Sequence, residues 1–168
     1  HALSGAEWLR GGEEPEAESG MLNGGTLYDY YETRDGRWIS IGSLEPVFLK
    51  RLCLEMDLQE FEGIPLDDVK SQKRLKSTLR KAFKTRGFQE WIEIFQKIDA
   101  CVEPVLKPSE AVNHPQLRER EMIGKVLNET GDPIRQIASP FRFSKTPVVP
   151  GFAGRKLGAD TLSVLREL

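Results

Sequence analysis

The side chain best placed to do chemistry in this sequence is Glu45. It follows a stretch rich in aromatic and β-branched residues and directly precedes Pro46, so the spacing puts a carboxylate at the first turn of a helix, where backbone N–H dipoles favour negative charge. A carboxylate held there can orient a proton carrier and hold its charge, or it can simply stabilise the helix. Spacing alone favours the second. Cys101 has the chemistry of a nucleophile, but no His or Asn partner is evident, and a small buried apolar residue is the better reading. Cys53 and Cys101 form no metal or disulfide framework, which points to the free thiols of a cytoplasmic protein. The only histidines are His1 and His114, with no His-Glu-x-x-His or Cys-x-x-Cys pattern, so no metal site is expected. His114 precedes Pro115 in a turn-like Asn-His-Pro and reads as a surface or capping residue.

No nucleophile elbow or phosphate loop is present, and Gly151, Gly154 and Gly158 are misspaced for a dinucleotide fingerprint. No tightly bound cofactor is expected. The basic run between residues 70 and 86 (Lys73, Arg74, Lys76, Arg80, Lys81, Lys84) is a candidate for phosphate or nucleic acid. These charges lie opposite an apolar stripe, however, and a solvated helix face is favoured.

Composition sets the frame for these candidates. The 168 residues are 39% hydrophobic and 30% charged with a formal net charge of −2, ordinary values for a globular chain and no call for nucleic acid or an anionic membrane. No apolar run approaches the roughly 20 residues of a membrane helix, and the start has no signal-peptide pattern. The chain opens on His1 and closes inside a helix-like pattern, so an excised piece of a longer polypeptide is expected.

The elements that would position Glu45 are a hairpin and the helix after it. Residues 27–33 are rich in Tyr and Thr, residues 38–41 carry aromatic and β-branched side chains, and Asp35-Gly36 between them suits a tight turn. Ser43 is the expected helix cap and Pro46 the first helical residue, with Phe48, Leu52 and Met56 on one face. Asp67 is the expected cap of a longer helix with a Leu75, Leu79, Ala82 and Phe83 stripe. Beyond Gly87, the residues Phe88, Trp91, Ile92, Phe95 and Ile98 recur at helical spacing. Residues 101–106 suggest an edge strand interrupted by Pro104. Short helices follow at Ser109 and Pro115, then two strands turning at Gly131-Asp132, then a Pro- and Gly-rich extended connection and a final helix. The order predicts an α+β fold: a small domain with a β-hairpin, short antiparallel strands and several helices, plus a C-terminal segment that packs elsewhere.

Several of these stretches coincide with one family. Asn23-Gly24-Gly25, Tyr28-x-x-Tyr31-x-Thr33-x-Asp35-Gly36 and Ile41-Gly42-Ser43-Leu44-Glu45-Pro46-x-Phe48 resemble the small-domain signature of the class III CoA-transferase superfamily (CaiB/BaiF type). The Leu-Glu-Pro-x-Phe version resembles its α-methylacyl-CoA racemase branch. Asp99-Ala100-Cys101-Val102-x-Pro104-Val105 and Ser139-Pro140-x-Arg142-Phe143-Ser144-x-Thr146-Pro147 agree in the same order.

The resemblance implies the following. Residues 1–22 would be a linker from an absent N-terminal large domain of nucleotide fold, 23–138 the small domain, and 139–168 a connection and helix returning to the large domain. The full-length protein would be an interlocked homodimer acting on a coenzyme A thioester. Glu45 would pair with a catalytic His of the absent part, Tyr28 and the Gly42 backbone would line the acyl side, and Asn23, Gly24 and Gly25 would shape the loop. Epimerisation at C2 is favoured over CoA transfer between carboxylic acids through an acyl-aspartyl intermediate, and the isolated chain would be inactive. A non-enzymatic reading, an interaction or assembly module, stays open beside these.

Overall fold

The structure, a computed structural model, describes residues 2–14, 16–22, 24–148, 151 and 153–167, with side chains from Gly5 onward. It divides into two compact units, residues 1–105 and 106–168, each with its own small antiparallel sheet. This is the expected α+β class, and the boundary falls inside the 23–138 stretch.

In the first unit, helix α1 (Ala2–Leu9) precedes strand β1 (Asp29–Glu32), strand β2 (Trp38–Ile41), helix α2 (Pro46–Glu55), a 3-10 turn (Gln59–Phe61), helix α3 (Val69–Phe83), helix α4 (Phe88–Phe95) and strand β3 (Val102–Pro104). The sheet order is β1-β2-β3, so Pro104, which has no N–H to donate, sits on an edge strand as its chemistry demands. The hairpin register pairs Asp29 with Ile41 and Tyr31 with Ile39, while Ile41 also faces Val102. Its turn is closed by Thr33 and Arg37, with Gly36 at φ +73°, a region glycine enters without steric cost. The Asp35 carboxylate accepts the Phe88 N–H at 3.0 Å, so the hairpin turn also fixes the start of α4.

Strand alternation decides which face is covered. Tyr31, Ile39, Ile41 and Val102 are buried and join Leu75, Leu79 and Phe83 of α3 with Phe88, Trp91 and Phe95 of α4 in the core. Phe83 lies at the centre of an aromatic cluster, its ring centroid 5.5 Å from Tyr31, 4.8 Å from Trp91 and 6.1 Å from Phe95. The opposite face of the sheet carries exposed Tyr30 and Trp38.

Four local expectations shift. Ser43 does not cap α2; its hydroxyl is buried and donates to the Ala100 carbonyl, while Glu45 occupies the cap position and Pro46 the first turn. The buried stripe of α2 is Leu49, Leu52 and Cys53, with Phe48 and Met56 flanking it half-buried. The cap of α3 is Asp68, one residue later than expected, accepting from the Ser71 N–H at 3.1 Å. The basic run is also not wholly solvated. Lys76 is buried, donates to the Gly24 carbonyl and pairs with Asp29 at 2.7 Å, and Arg80 reaches the same carboxylate at 3.2 Å.

Burial by itself would raise the Asp29 pKa. The Lys76 hydrogen bond, the Tyr30 N–H and the charges of Lys76 and Arg80 outweigh it and hold the carboxyl below its ordinary value. A depressed folded value means that the stabilisation is complete above the unfolded carboxyl pKa of about 3.9 and is lost as pH falls through the lower folded one. Asp29→Asn should therefore flatten the acid limb of stability against pH. It should also cost about 1–3 kcal/mol at neutral pH by stranding a buried ammonium. Urea unfolding midpoints of both proteins across the acid range check this, and parallel curves would contradict it.

The second unit holds helices α5 (Pro108–Ala111) and α6 (Pro115–Glu119), the hairpin β4 (Ile123–Leu127) and β5 (Pro133–Ile137), and helix α7 (Thr161–Glu167). Its turn uses Asn128, whose side-chain oxygen accepts from the Thr130 and Asp132 N–H groups, with Gly131 at φ +83°. His114 caps α6 through Nδ1, accepting from the Gln116 N–H at 3.3 Å. That is the capping role its Asn-His-Pro context suggests.

Candidate functional site

Glu45 stands where β2 ends and α2 begins. Its backbone is extended (φ −72°, ψ 141°), its carbonyl accepts the Leu49 N–H at 3.0 Å, and its exposed side chain makes no capping hydrogen bond. Among the described residues no cation is paired with it. Pro46 explains the geometry: its fixed φ starts the helix, and its missing N–H is one that a first turn leaves unsatisfied anyway. The carboxylate is thus held at the positive end of the ten-residue α2 without a capping hydrogen bond.

The register carries the rest of the site. Continuing one residue past the Asp29–Ile41 and Ile41–Val102 pairs puts Tyr28, Gly42 and Cys101 in one cross-strand row. The Gly42 N–H donates to the Cys101 carbonyl at 2.8 Å, which closes the row. One step along a strand reverses the face, so Tyr28 and Gly42 lie opposite the buried Ile41. A Cβ added at Gly42 would lie 3.4 Å from Tyr28 Cε2 and 3.8 Å from Cys101 Cβ, so both side chains flank the bare glycine. Tyr28 is exposed and Cys101 half-buried. Cys101 holds φ +51°, an uncommon conformation for a residue with a Cβ. Burial, then the negative charges of Glu45, Asp99 and Glu103, push its thiol above the ordinary value. A thiol kept neutral is a poor nucleophile.

Of the residues singled out in the sequence, Tyr28 and Gly42 are therefore together, and Glu45 follows Gly42 by three positions at the same strand end. Asn23 lies outside the described residues. Gly24 and Gly25 sit in the turn leading into β1. Gly24 has φ +102° and its carbonyl takes the Lys76 ammonium. At Gly25 a Cβ would come within 2.1 Å of the Ser19 carbonyl oxygen, and the Gly25 N–H donates to Gly20 at 3.0 Å. The clash is with backbone, so no rotamer relieves it. Gly25→Ala should cost about 1–3 kcal/mol through overpacking and loosen residues 18–26. A lower thermal midpoint with faster proteolytic cutting in that turn is the expected result, and an unchanged midpoint would contradict it.

Sequence reasoning passed over Cys101 as a member of this group. Its signal was phase: it is one residue out of step with Val102, the core residue of β3. Among the described residues no three His, Cys, Asp or Glu side chains gather to hold a metal ion. No helix among them is long and apolar enough to cross a membrane.

Comparison with known proteins bears on this arrangement. The model of CoA-transferase family III matches residues 2–161. The alpha-methylacyl-CoA racemase of Mus musculus is 30% identical over 157 residues, covering 92% of this chain and 40% of the relative. The Homo sapiens protein of the same name is 28% identical over 156 residues, with the same coverage. Among solved structures, a CAIB/BAIF family protein from Brucella suis superposes with a TM-score of 0.70 at 17% identity over 99% of this chain and 44% of that one. A Mycobacterium tuberculosis protein in an orthorhombic crystal form gives 0.62 at 20% identity over 91% and 42%. These structures share the fold. The chain spans 40% of the length of the curated relatives it matches.

Proposed function

The chain belongs to CoA-transferase family III, and on that premise we propose that it supplies one wall of the active site of an enzyme that epimerises C2 of 2-methylacyl-CoA thioesters. The observation that carries this reading is Glu45: a carboxylate on a helix N-terminus, unpaired among the described residues, at the same strand end as the row of Tyr28, Gly42 and Cys101. The racemase relatives, aligned over 92% of the chain, support the same choice.

Epimerisation breaks the C2–H bond, delivers the proton to a base on one face and leaves the electron pair as an enolate. A proton returned to C2 from the opposite face completes it, with no net change in atoms or charge. Each step needs a group that can hold a proton near neutral pH, and a carboxylate that orients an imidazole and balances its charge makes that imidazole a better base. In this reading Glu45 does so for a His supplied by the remainder of the full-length enzyme, which also provides most of the coenzyme A contacts. The donors for the enolate oxygen come from there as well. The enzyme works as a homodimer, and this chain alone is inert.

Incubation of the full-length enzyme with a 2-methylacyl-CoA in deuterated water should place deuterium at C2. Absence of exchange would overturn the assignment. CoA transfer to a free carboxylate without C2 exchange would identify instead a transferase working through an acyl-aspartyl intermediate.

A further inference from the structure

We propose that a cavity in the second unit binds a small anion carrying a diphosphate, gripped chiefly by Lys125 and Arg135. The proposal does not depend on the C2-epimerase reading. The cavity has a volume of about 1040 Å³ and is lined only by residues of that unit, among them the β4–β5 hairpin and the chain that follows it. Small-molecule sites commonly run to about 300–1,000 Å³, so there is room for such a ligand. Four cations line it: Arg118, Lys125, Arg135 and Arg142. Arg142 is committed to the Glu121 carboxylate at 3.4 Å and to the Arg120 carbonyl. Arg118, Lys125 and Arg135 are exposed and make no ion pair among the described residues. The basic face of α3 is the contrast. There Lys76 and Arg80 meet Asp29, Lys84 meets Glu32 and Arg74 meets Glu60. The cavity leaves three positive charges without such a counter-charge.

The register makes the arrangement pointed. Lys125 and Arg135 are direct cross-strand partners, so their side chains leave the hairpin on one face, side by side. Like charges at directly opposed positions destabilise a sheet. An anion set between them turns one repulsion into two attractions. The two groups are also complementary in how they hold phosphate: a guanidinium offers a fork of parallel N–H donors, and an ammonium acts as a compact point charge. A diphosphate presents oxygens to both at once, and its multiple negative charge answers the three free cations better than a single carboxylate does. The next pair on the same face, Ile123 with Ile137, lines the cavity as well, as do the exposed Phe141 and Phe143. An apolar wall carrying a few polar groups is the usual makeup of a small-molecule site.

Titration calorimetry of the full-length enzyme with inorganic pyrophosphate and with ADP, at an ionic strength fixed with sodium chloride, tests the site. Saturable binding of both is expected. Loss of one charge-assisted hydrogen bond corresponds to about 10- to 150-fold in Kd. Lys125→Gln should therefore weaken binding by about tenfold or more. Arg135→Glu, which turns an attraction into a repulsion, should weaken it further. The free Arg135→Glu enzyme should unfold no earlier in urea than the unaltered one, because opposite charges then face each other across the strands. Should it unfold earlier, Lys125→Gln decides the matter, since it leaves Arg135 in place. No saturable binding, or a Kd unchanged in both variants, would overturn the proposal while leaving C2 exchange, and the reading built on it, untouched. A further arm adds coenzyme A at saturation. Displacement of pyrophosphate from the variant-sensitive site would identify the diphosphate as the substrate's own, and simultaneous binding would identify a separate ligand.

Discussion

Glu45→Gln in the full-length enzyme is expected to lower C2 deuterium exchange by about 10²- to 10⁴-fold, the usual contribution of a group that assists proton transfer. At about 1.36 kcal/mol per factor of ten, that is a loss of roughly 3–5 kcal/mol of transition-state stabilisation. The substitution keeps shape and removes charge. Its structural effect should be confined to one charge–dipole attraction at the start of α2, about 0.3–1 kcal/mol, because Glu45 is exposed and makes no capping bond that Gln would break. The two roles open to this residue thus separate: a helix stabiliser predicts a small stability change with exchange intact, and a partner of the catalytic base predicts the reverse. The pH profile adds a readout that a structural role would not move. Losing a negative charge beside an imidazole lowers its pKa, so residual activity in Glu45→Gln should begin at a lower pH than in the unaltered enzyme. Exchange within about threefold of normal, with an unmoved profile, would remove Glu45 from the mechanism (a group assisting proton transfer is worth at least about 10²-fold).

Phe83→Ala should have the largest effect on the fold. Phe83 is fully buried and its ring touches Tyr31, Trp91 and Phe95, so it joins β1, α3 and α4 in one cluster. Truncating such a ring costs about 3–5 kcal/mol through lost transfer energy and the cavity left behind. That is a large part of the about 5–15 kcal/mol that holds a typical domain folded. With a urea slope of about 2 kcal/mol per molar, the midpoint should fall by roughly 1.5–2.5 M. The Trp91 indole N–H donates to the Phe83 main-chain carbonyl at 2.9 Å, a bond the substitution leaves in place, so the loss reports packing. Phe83→Leu, which refills most of the volume, should recover more than half of it. A midpoint shift below about 0.5 M for Phe83→Ala would show that the cluster does not bear on stability as the geometry indicates.

Much of the fold was legible because local chemistry and global position agree. The Asp35-Gly36 turn, Pro46 opening a helix, Gly87 separating two helices and Pro104 on an edge each follow from what those residues can do with φ or with a backbone N–H. The misses have an equally local cause. Asp67 and Asp68 are both good caps, and Ser43 and Glu45 both fit ahead of Pro46. Choosing between such neighbours depends on which side chain finds a tertiary partner, and Ser43 found the Ala100 carbonyl. Lys76 read as one more surface charge in a basic run because helical spacing does not reveal that a carboxylate from β1 approaches from 47 positions away, 76 minus 29.

The sequence by itself determined the α+β class, most of the elements and their order (though not α1 or the 3-10 turn), and the family signature around Glu45, because turn chemistry, periodicity and motif spacing act over a few residues. Tertiary structure alone decided which residues become neighbours at this strand end. Tyr28, Gly42 and Cys101 meet because three strands come together in one register, and a cross-strand row has no expression in linear spacing. It also decided that Glu45 keeps its carboxylate unpaired among the described residues while Asp29, equally acidic in sequence, is committed to Lys76 and Arg80. The physical difference is position: Asp29 lies on the face of the sheet that α3 covers, whereas Glu45 lies past the strand end, exposed at a helix N-terminus.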